Sequence, residues 1–228
     1  MVEVGVLGGV SLRSWQTVFD GRSIIYGVSW PETEAVKVQL GPNVHVLYRD
    51  QSDCAHLDEI EATAGAEPLD LVIDDGSHEP SHMLKTLVKL FARVAPGGFY
   101  VIEDVETSYW DKPGANVYGY ALHDVGVGRP GSIISALRLL VEVVNQRYAH
   151  PDYDRAFHFI DASVDPDVAW IMFAQNMVVI RKKTEEDRAF EIPINPMADG
   201  STWNAFWARP DVVAVGNKVR EWKCAEIV

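Results

Sequence analysis

The sequence predicts an α/β fold in which helices cover both faces of a doubly wound, mostly parallel sheet of seven strands. Two observations lead to this prediction. Short apolar runs, rich in Val, Ile and aromatic residues, alternate with longer segments that have helical spacing. This alternation continues through the first hundred residues, as expected where helices connect parallel strands.

Seven segments have the composition of strands. They are residues 2–6, 23–28, 44–48, 69–73, 99–102, 156–160 and 170–181. Helical spacing predicts helices at residues 11–19, 31–40, 54–64, 82–94 and 132–148, the last of which follows a glycine-rich loop.

The pattern divides the chain into a main domain, residues 1–183, and a C-terminal arm, residues 184–228. Pro and Gly recur through the arm, which predicts an irregular segment with one short helix at most. The arm also contains Trp203, Trp207 and Trp222. We therefore expect it to pack on other structure, as a lid or as a contact in a homo-oligomer.

Composition excludes several classes of protein. The formal net charge is −13, so no broad basic surface is available to bind nucleic acid. No apolar run approaches the roughly 20 residues that span a bilayer, and the N-terminus lacks a signal-peptide pattern. We therefore expect a cytoplasmic protein without a membrane span.

Cys54 and Cys224 lie far apart in sequence, and we expect both to be reduced.

A glycine turn, Gly5 to Gly9, follows the first predicted strand and opens into a helix. Glycines at such a turn let a ligand approach backbone N–H groups closely. NAD enzymes use a similar turn, and a tight connection without a ligand is a further alternative. However, the G-x-G-x-x-G spacing is absent, and Glu3 occupies the acidic position found in methyltransferase glycine loops. The turn therefore favours a methyl donor over a dinucleotide.

A polar cluster follows the third predicted strand at the carboxyl edge of the sheet, where doubly wound folds bind ligands. Asp50 and Gln51 suit hydrogen bonds to an adenine edge. Ser52 or Asp53 is instead expected to cap the following helix.

Acidic residues end two neighbouring strands of the predicted sheet. Asp74 and Asp75 end the fourth strand, and Glu103 and Asp104 end the fifth. Carboxylates so close repel one another, and a divalent cation held by oxygen ligands offsets the repulsion. Magnesium fits better than zinc because no cysteine is near. Helix capping and pairing with Arg are the alternative roles of these acids.

His78 follows the fourth strand and is the candidate general base. An imidazole has an unperturbed pKa of about 6.5, so it accepts a proton from a hydroxyl near neutral pH. His82, one helical turn further along the chain, is the rival candidate.

Five stretches of the chain are distinctive in combination: EVGVLGGVSLRSW, RDQSD, LVIDDGSHEPSHM, APGGFYVIEDVETSYW and FAQNMVVIRK. Together they resemble the macrocin and mycinamicin sugar O-methyltransferases of macrolide biosynthesis, and more distantly the cephalosporin-type methyltransferase homologues. The resemblance covers about residues 2–183. It implies a Rossmann-like class I methyltransferase that transfers a methyl group from S-adenosylmethionine to a sugar hydroxyl with the help of Mg²⁺.

The resemblance also assigns roles to residues. It implies that magnesium is bound by Asp75, Glu103 and Asp104, that His78 accepts the proton, and that Tyr109 and Trp110 stack on the sugar. It places Glu3, Gly5, Ser11, Asp50 and Gln51 in the S-adenosylmethionine pocket. We add Gly9, Ser29 and Asp74 to the predicted cofactor-binding residues and His82 to the substrate-binding ones.

Two features depart from the family pattern. The second strand ends in Gly27-Val28-Ser29-Trp30 instead of an acid that grips the ribose, so Ser29, Glu32 or Glu34 must substitute. The chain begins directly at the first strand, so the arm or a second subunit is expected to cover the acceptor, unless the site is open to a glycan.

Three alternative functions stay open. They are methylation of a phenol or catechol, a non-catalytic S-adenosylmethionine-binding protein and, more distantly, a dehydrogenase.

Overall fold

A computed structural model describes residues 1–31, 36–149, 158–190, 197–198 and 200–224. The strands within these residues are β1 (Val2–Val4), β2 (Ile25–Ser29), β3 (Val44–Tyr48), β4 (Leu69–Asp74), β5 (Val94–Glu103), β6 (Asn116–Val117), β7 (Tyr120–Ala121), β8 (Val168–Ala174) and β9 (Met177–Lys182). The short strands β6 and β7 form a separate hairpin. The other strands form one seven-stranded sheet in the order β3-β2-β1-β4-β5-β9-β8.

Strand direction confirms the predicted mostly parallel sheet. The first five strands of the sheet, β3, β2, β1, β4 and β5, are parallel to one another, and β9 runs antiparallel to both β5 and β8. β2, the next strand in sequence, pairs with one edge of β1, and β4 pairs with the other edge. The strand order therefore reverses beside β1, and a crevice at the carboxyl ends of β1 and β4 is the expected ligand site of such a sheet.

The described helices are α1 (Val10–Val18), α2 (Cys54–Thr63), α3 (Pro80–Phe91), α4 (Ile133–Ala149), α5 (Glu185–Ala189), α6 (Ser201–Trp207) and α7 (Pro210–Trp222). The main core contains apolar side chains of α2, α3, α4 and α7 together with strand residues of one sheet face. A second core joins Leu12 of α1 to strand residues such as Ile25 and Ile73. None of the described helices is long and apolar enough to cross a membrane.

Three predicted elements differ from the structure. Residues 36–40 of the helix expected at 31–40 are not helical, and Glu32 and Glu34 lie outside the described residues. Residues 158–160 form no strand, and the rest of the strand expected at 156–160 is also outside the description. The single strand expected at 170–181 is two, because the chain reverses at Gln175 and Asn176.

The arm contains more regular structure than the sequence predicted. Its described residues contain three helices, α5 to α7, where a single short helix was expected. Val215 and Val219 of α7 are buried in the main core, and Trp207 and Trp222 pack against it. The apolar side of α7 therefore gains stability from burial that Pro and Gly content alone does not reveal.

The two cysteines form a disulfide, which corrects the expectation that both are reduced. Cys54 begins α2, Cys224 follows the end of α7, and 170 residues separate them in sequence. The packing of α7 on the same sheet face as α2 brings the two side chains together. The bond therefore ties the end of the described chain to the main domain.

We predict that replacing both cysteines by serine lowers the free energy of unfolding by about 2–4 kcal/mol, because the unfolded chain loses the constraint of a long closed loop. Urea unfolding of the Cys54→Ser, Cys224→Ser protein measures the change. Wild-type protein with added reductant is the matched control and is expected to unfold like the double variant. Equal unfolding midpoints for the variant and the oxidised wild type would contradict the prediction.

Candidate active site

A cavity of about 290 Å³ opens at the carboxyl ends of β1, β2 and β4. Several residues selected from the sequence line it: Gly5, Ser29, Asp50, Gln51, Asp75, His78 and Asp104. Their segments are distant in sequence but meet at one edge of the sheet, as parallel strands require. These predicted residues therefore surround one cavity, and its role as a ligand site stays a prediction.

The glycine turn that begins at Gly5 lines this cavity. Gly5 has a φ of 93°, and a Cβ at this position would lie 1.8 Å from the carbonyl oxygen of Asp75. The Gly5 N–H donates to Val28, and the Asp75 N–H donates to Val4. Only glycine therefore allows the ends of β1 and β4 to approach so closely. Gly9, the N-cap residue of α1, also has a positive φ and packs against Val36.

Glu3 and Ser11 lie behind the turn and do not line the cavity. The buried Glu3 carboxylate accepts hydrogen bonds from Ser11 Oγ and Trp15 Nε1, each 3.0 Å long. Burial raises the pKa of Glu3, and these two bonds partly offset the effect. The bonds hold α1 against β1, while the predicted contact of Glu3 and Ser11 with a cofactor stays a prediction.

Gln51 lies between the cavity and the core. Its Nε2 donates to Asp74 over 2.6 Å, and its Oε1 accepts the Ser77 N–H over 2.9 Å. Asp74 is completely buried and also accepts a bond from Tyr100, yet burial raises its pKa to about 7. Asp74 does not line the cavity. It therefore orients Gln51, which does.

Helix α2 begins as the sequence predicted. The Asp53 side chain accepts the N–H of Ala55 and caps the helix. The Asp50 side chain accepts the N–H of Ser52 over 2.7 Å. The loop that carries Asp50 and Gln51 is thus held by its own side chains.

Ser29 ends β2 where the family pattern expects an acid. Its side chain is 1% exposed, its Oγ has no hydrogen-bond partner among the described residues, and it lines the cavity beside Trp30. A buried hydroxyl without a partner is costly unless a ligand or water supplies one. Ser29 is therefore suited to contact a polar ligand.

Asp75, His78 and Asp104 converge on one point. Ligand atoms of all three lie within 4.8 Å of one another. His78 Nε2 is 4.0 Å from Asp75 Oδ1 and 3.6 Å from Asp104 Oδ2. Burial, then repulsion from Glu103, Asp104 and Glu3, raises the pKa of Asp75 to about 7. These groups therefore gather negative charge that a divalent cation would offset.

Glu103, the third predicted magnesium ligand, does not belong to this converging group. Burial and the Asp104 charge raise the pKa of Glu103, and its own charge acts on Asp75. Glu103 therefore contributes to the field of the site, and its role as a direct ligand stays a prediction.

The His78 backbone is strained, with a φ of 56°. Its carbonyl accepts a 2.7 Å bond from Thr107, and its ring lies 5.8 Å from that of Tyr118. Burial lowers the pKa of His78, although the Asp104 charge opposes this effect. The lowered pKa favours the neutral imidazole, which is the form that can accept a proton.

His82 does not line the cavity. Its Nδ1 lies 2.8 Å from Ser77 Oγ, its Nε2 lies 3.6 Å from Glu79, and its ring meets that of Tyr120 edge-on. These contacts fix the first turn of α3. His78 therefore has the better position for a general base.

Tyr109 and Trp110 also lie outside the cavity. Tyr109 ends a 3₁₀ helix at Val105–Tyr109 and Trp110 follows it; the two residues are 49% and 40% exposed. Tyr109 lines a separate groove together with Phe173. Their stacking on a sugar stays a prediction.

Two aromatic residues of the cavity wall were not predicted from the sequence. Tyr118 and Tyr120 line it from the hairpin of β6 and β7. Tyr118 and Gly119, which join the two strands, both have positive φ. The signal was a glycine between short alternating runs, a pattern typical of a hairpin.

Known proteins share this fold. Residues 2–105 match the family described as a methyltransferase domain. A solved structure of the MycE methyltransferase from the mycinamycin biosynthetic pathway, in complex with Mg and SAH, is 29% identical and superposes with a TM-score of 0.67. That match covers 91% of this chain and 50% of the MycE chain. The chain therefore has the Rossmann-like class I methyltransferase fold.

Curated relatives confirm the predicted resemblance to sugar O-methyltransferases of the mycinamicin type. The mycinamicin VI 2''-O-methyltransferase of Micromonospora griseorubida is 32% identical over 69% of this chain and 36% of the relative. The 8-demethyl-8-alpha-L-rhamnosyl tetracenomycin-C 2'-O-methyltransferase of Streptomyces olivaceus is 42% identical over 48% of this chain and 29% of the relative. The chain thus spans about a third of the length of these two relatives.

Asp75 makes stability depend on pH. Its folded pKa of about 7 exceeds the value of about 3.9 for an unfolded Asp, so its ionisation costs stability as pH rises between these values. We predict that Asp75→Asn, in buffer with a chelator, raises the melting temperature more at pH 8 than at pH 5. Thermal unfolding at both values measures this difference.

The exposed Asp20 supplies the control. Asp20→Asn is expected to change the melting temperature equally at pH 5 and pH 8. The same equality for Asp75→Asn would contradict the prediction.

Proposed function

We propose that the chain transfers a methyl group from S-adenosylmethionine to a sugar hydroxyl in a Mg²⁺-dependent reaction. The convergence of Asp75, His78 and Asp104 at the cavity carries this proposal, because it puts cation ligands next to a base. The relatives support it, since their names describe O-methyltransferases of rhamnosyl tetracenomycin-C and mycinamicin VI. The MycE complexes contain Mg and SAH.

We assign the methyl donor to the glycine-turn side of the cavity. Gly5 exposes backbone there, and Asp50 and Gln51 offer polar groups to an adenine edge. The unpartnered Ser29 hydroxyl lies where the family pattern has the ribose-binding acid. This arrangement fits S-adenosylmethionine, whose ribose would make one hydrogen bond with Ser29 in place of two with an acid.

Asp75 and Asp104 are the proposed magnesium ligands, with Glu103 beside them. Carboxylate oxygens are the ligands that Mg²⁺ prefers in proteins. When bound, magnesium acidifies the acceptor hydroxyl and fixes its position. The raised pKa of Asp75 is consistent with this role, because burial and the charges of neighbouring acids both disfavour the ionised carboxylate that a cation would stabilise.

His78 is the proposed general base. Its Nε2 faces the two carboxylates, so a hydroxyl held there lies within reach of the ring. His78 takes the hydroxyl proton as the oxygen attacks the sulfonium methyl group, and the C–S electron pair stays on sulfur. Asp104 then stabilises the imidazolium that forms.

The acceptor that we propose is a carbohydrate-containing molecule. Tyr118, beside His78, and Tyr120 supply aromatic walls of the cavity, which suit the apolar face of a sugar ring. Three further points stay predictions: that residues 184–228 act as a lid or as an oligomer contact, that the chain forms a homo-oligomer, and that it is cytoplasmic. A disulfide such as Cys54–Cys224 is rare in a reducing cytosol.

We predict that Asp75→Asn and Asp104→Asn each lower Mg²⁺-dependent turnover by about a hundredfold or more, while S-adenosylhomocysteine binding stays nearly unchanged. Transfer of labelled methyl groups from S-adenosylmethionine to a panel of glycosides, with and without Mg²⁺, measures turnover. Calorimetry measures binding. Asp20→Asn is the control with full activity. Full activity of the wild type in the presence of a chelator would contradict the metal-dependent mechanism.

We also predict that His78→Ala lowers kcat by about a hundredfold or more, the range expected for a lost general base. Because the base must be neutral, wild-type kcat falls at acidic pH, below the usual histidine pKa of about 6.5. The pH–rate profile of His78→Ala should lack this acidic decline. His82→Ala, which alters a ring outside the cavity, should retain it; the reverse pattern would assign the base to His82.

A further inference from the structure

The turn between β8 and β9 places an amide next to the acidic cluster. Asn176 has a φ of 58° in this turn, a conformation that Asn adopts more readily than most residues. It also lines the groove that contains Tyr109. It has no role predicted from the sequence, because residues 170–181 were expected to form one strand.

The Asn176 side chain bridges two points on the segment after β5. The Glu106 backbone N–H donates to Asn176 Oδ1 over 2.8 Å, and Asn176 Nδ2 donates to Asp104 Oδ1 over 2.7 Å. A backbone N–H can only donate, so the amide oxygen must face Glu106. The amide NH₂ group must therefore face Asp104, and chemistry fixes the orientation of the side chain.

This bond occupies one oxygen of Asp104 and leaves the other available. Asp104 Oδ2 lies 3.6 Å from His78 Nε2, in the group that includes Asp75. The Asp104 backbone is itself in the left-handed region, with a φ of 50°. Asn176 therefore holds the carboxylate in a rotation that directs a single oxygen toward the cluster.

We propose that Asn176 is a positioning residue that makes Asp104 a one-oxygen ligand and so favours Mg²⁺ over Ca²⁺. This inference rests on the proposed function. Mg²⁺ demands near-octahedral geometry, whereas Ca²⁺ accepts carboxylates through both oxygens. A carboxylate with one oxygen that already accepts a hydrogen bond from an amide therefore suits Mg²⁺, the smaller ion.

The test is the pair of dissociation constants for Mg²⁺ and Ca²⁺, measured by calorimetry on Asn176→Gly. Glycine keeps the left-handed turn and removes only the amide. Loss of an outer partner typically weakens metal binding 10–100-fold, so we expect the Mg²⁺ dissociation constant to rise about tenfold or more. The Ca²⁺ constant should rise less. Asn176→Ser, whose side chain is too short to bridge both groups, should reproduce the change.

Controls separate this inference from the proposed function. Gln175→Ala, in the same turn, should leave both metal constants unchanged, and S-adenosylhomocysteine binding and the melting temperature report intact folding of every variant. Unchanged Mg²⁺ binding in folded Asn176→Gly, or equal weakening for both ions, would overturn the role of Asn176. Absence of Mg²⁺ binding in the wild type would instead overturn the proposed function.

Discussion

Repulsion among carboxylates at two adjoining strand ends is the constraint around which this cavity is organised. The register of β4 and β5 pairs Asp74 with Ile102, so the acids that follow in both strands emerge side by side. The sheet fixes their spacing, and burial together with the charges of the other acids raises the pKa of Asp75. Such an arrangement lowers the stability of the folded chain unless a proton or a cation compensates. A hard divalent ion is the compensation that the oxygen ligands favour.

Asp74 and Asp75 show how strand geometry gives neighbouring acids different roles. Alternation along β4 directs Asp74 into the core, where Gln51 and Tyr100 bond to it, while Asp75 faces the cavity. Burial is the largest cause of a pKa of about 7 at both residues. At Asp74 several hydrogen bonds oppose this effect and the Asp75 charge adds to it, whereas at Asp75 the charges of Glu103, Asp104 and Glu3 add to burial. A shifted pKa therefore does not identify the reactive acid. Access to the cavity does.

The sequence predicted the sheet and much of the cavity because both follow from local pattern. Residues 44–48 match β3 at both ends, and the residues after β1, β3 and β4 meet where parallel strands must end. Contacts that depend on long-range packing could not be predicted in this way. Nothing near Cys54 or Cys224 indicates that they pair. Likewise, the bond from Asn176 to Asp104 follows from the pairing of β9 with β5, and the Gln-Asn step between two apolar runs was the one local sign of the turn.

The described residues of the arm influence the cavity without lining it. Cys54 is the first residue of α2 and follows the capping Asp53, so the disulfide holds the point at which the Asp50–Gln51 loop becomes helix. The loop is held from a second side as well, since Lys85 of α3 donates to the Ser52 carbonyl. Through Gln51 this restraint extends to Asp74 and to the Ser77 N–H, one residue before His78. The loop assigned to the adenine edge and the strand end that carries the base are therefore parts of one hydrogen-bonded unit, and α7 is anchored to it by a covalent bond.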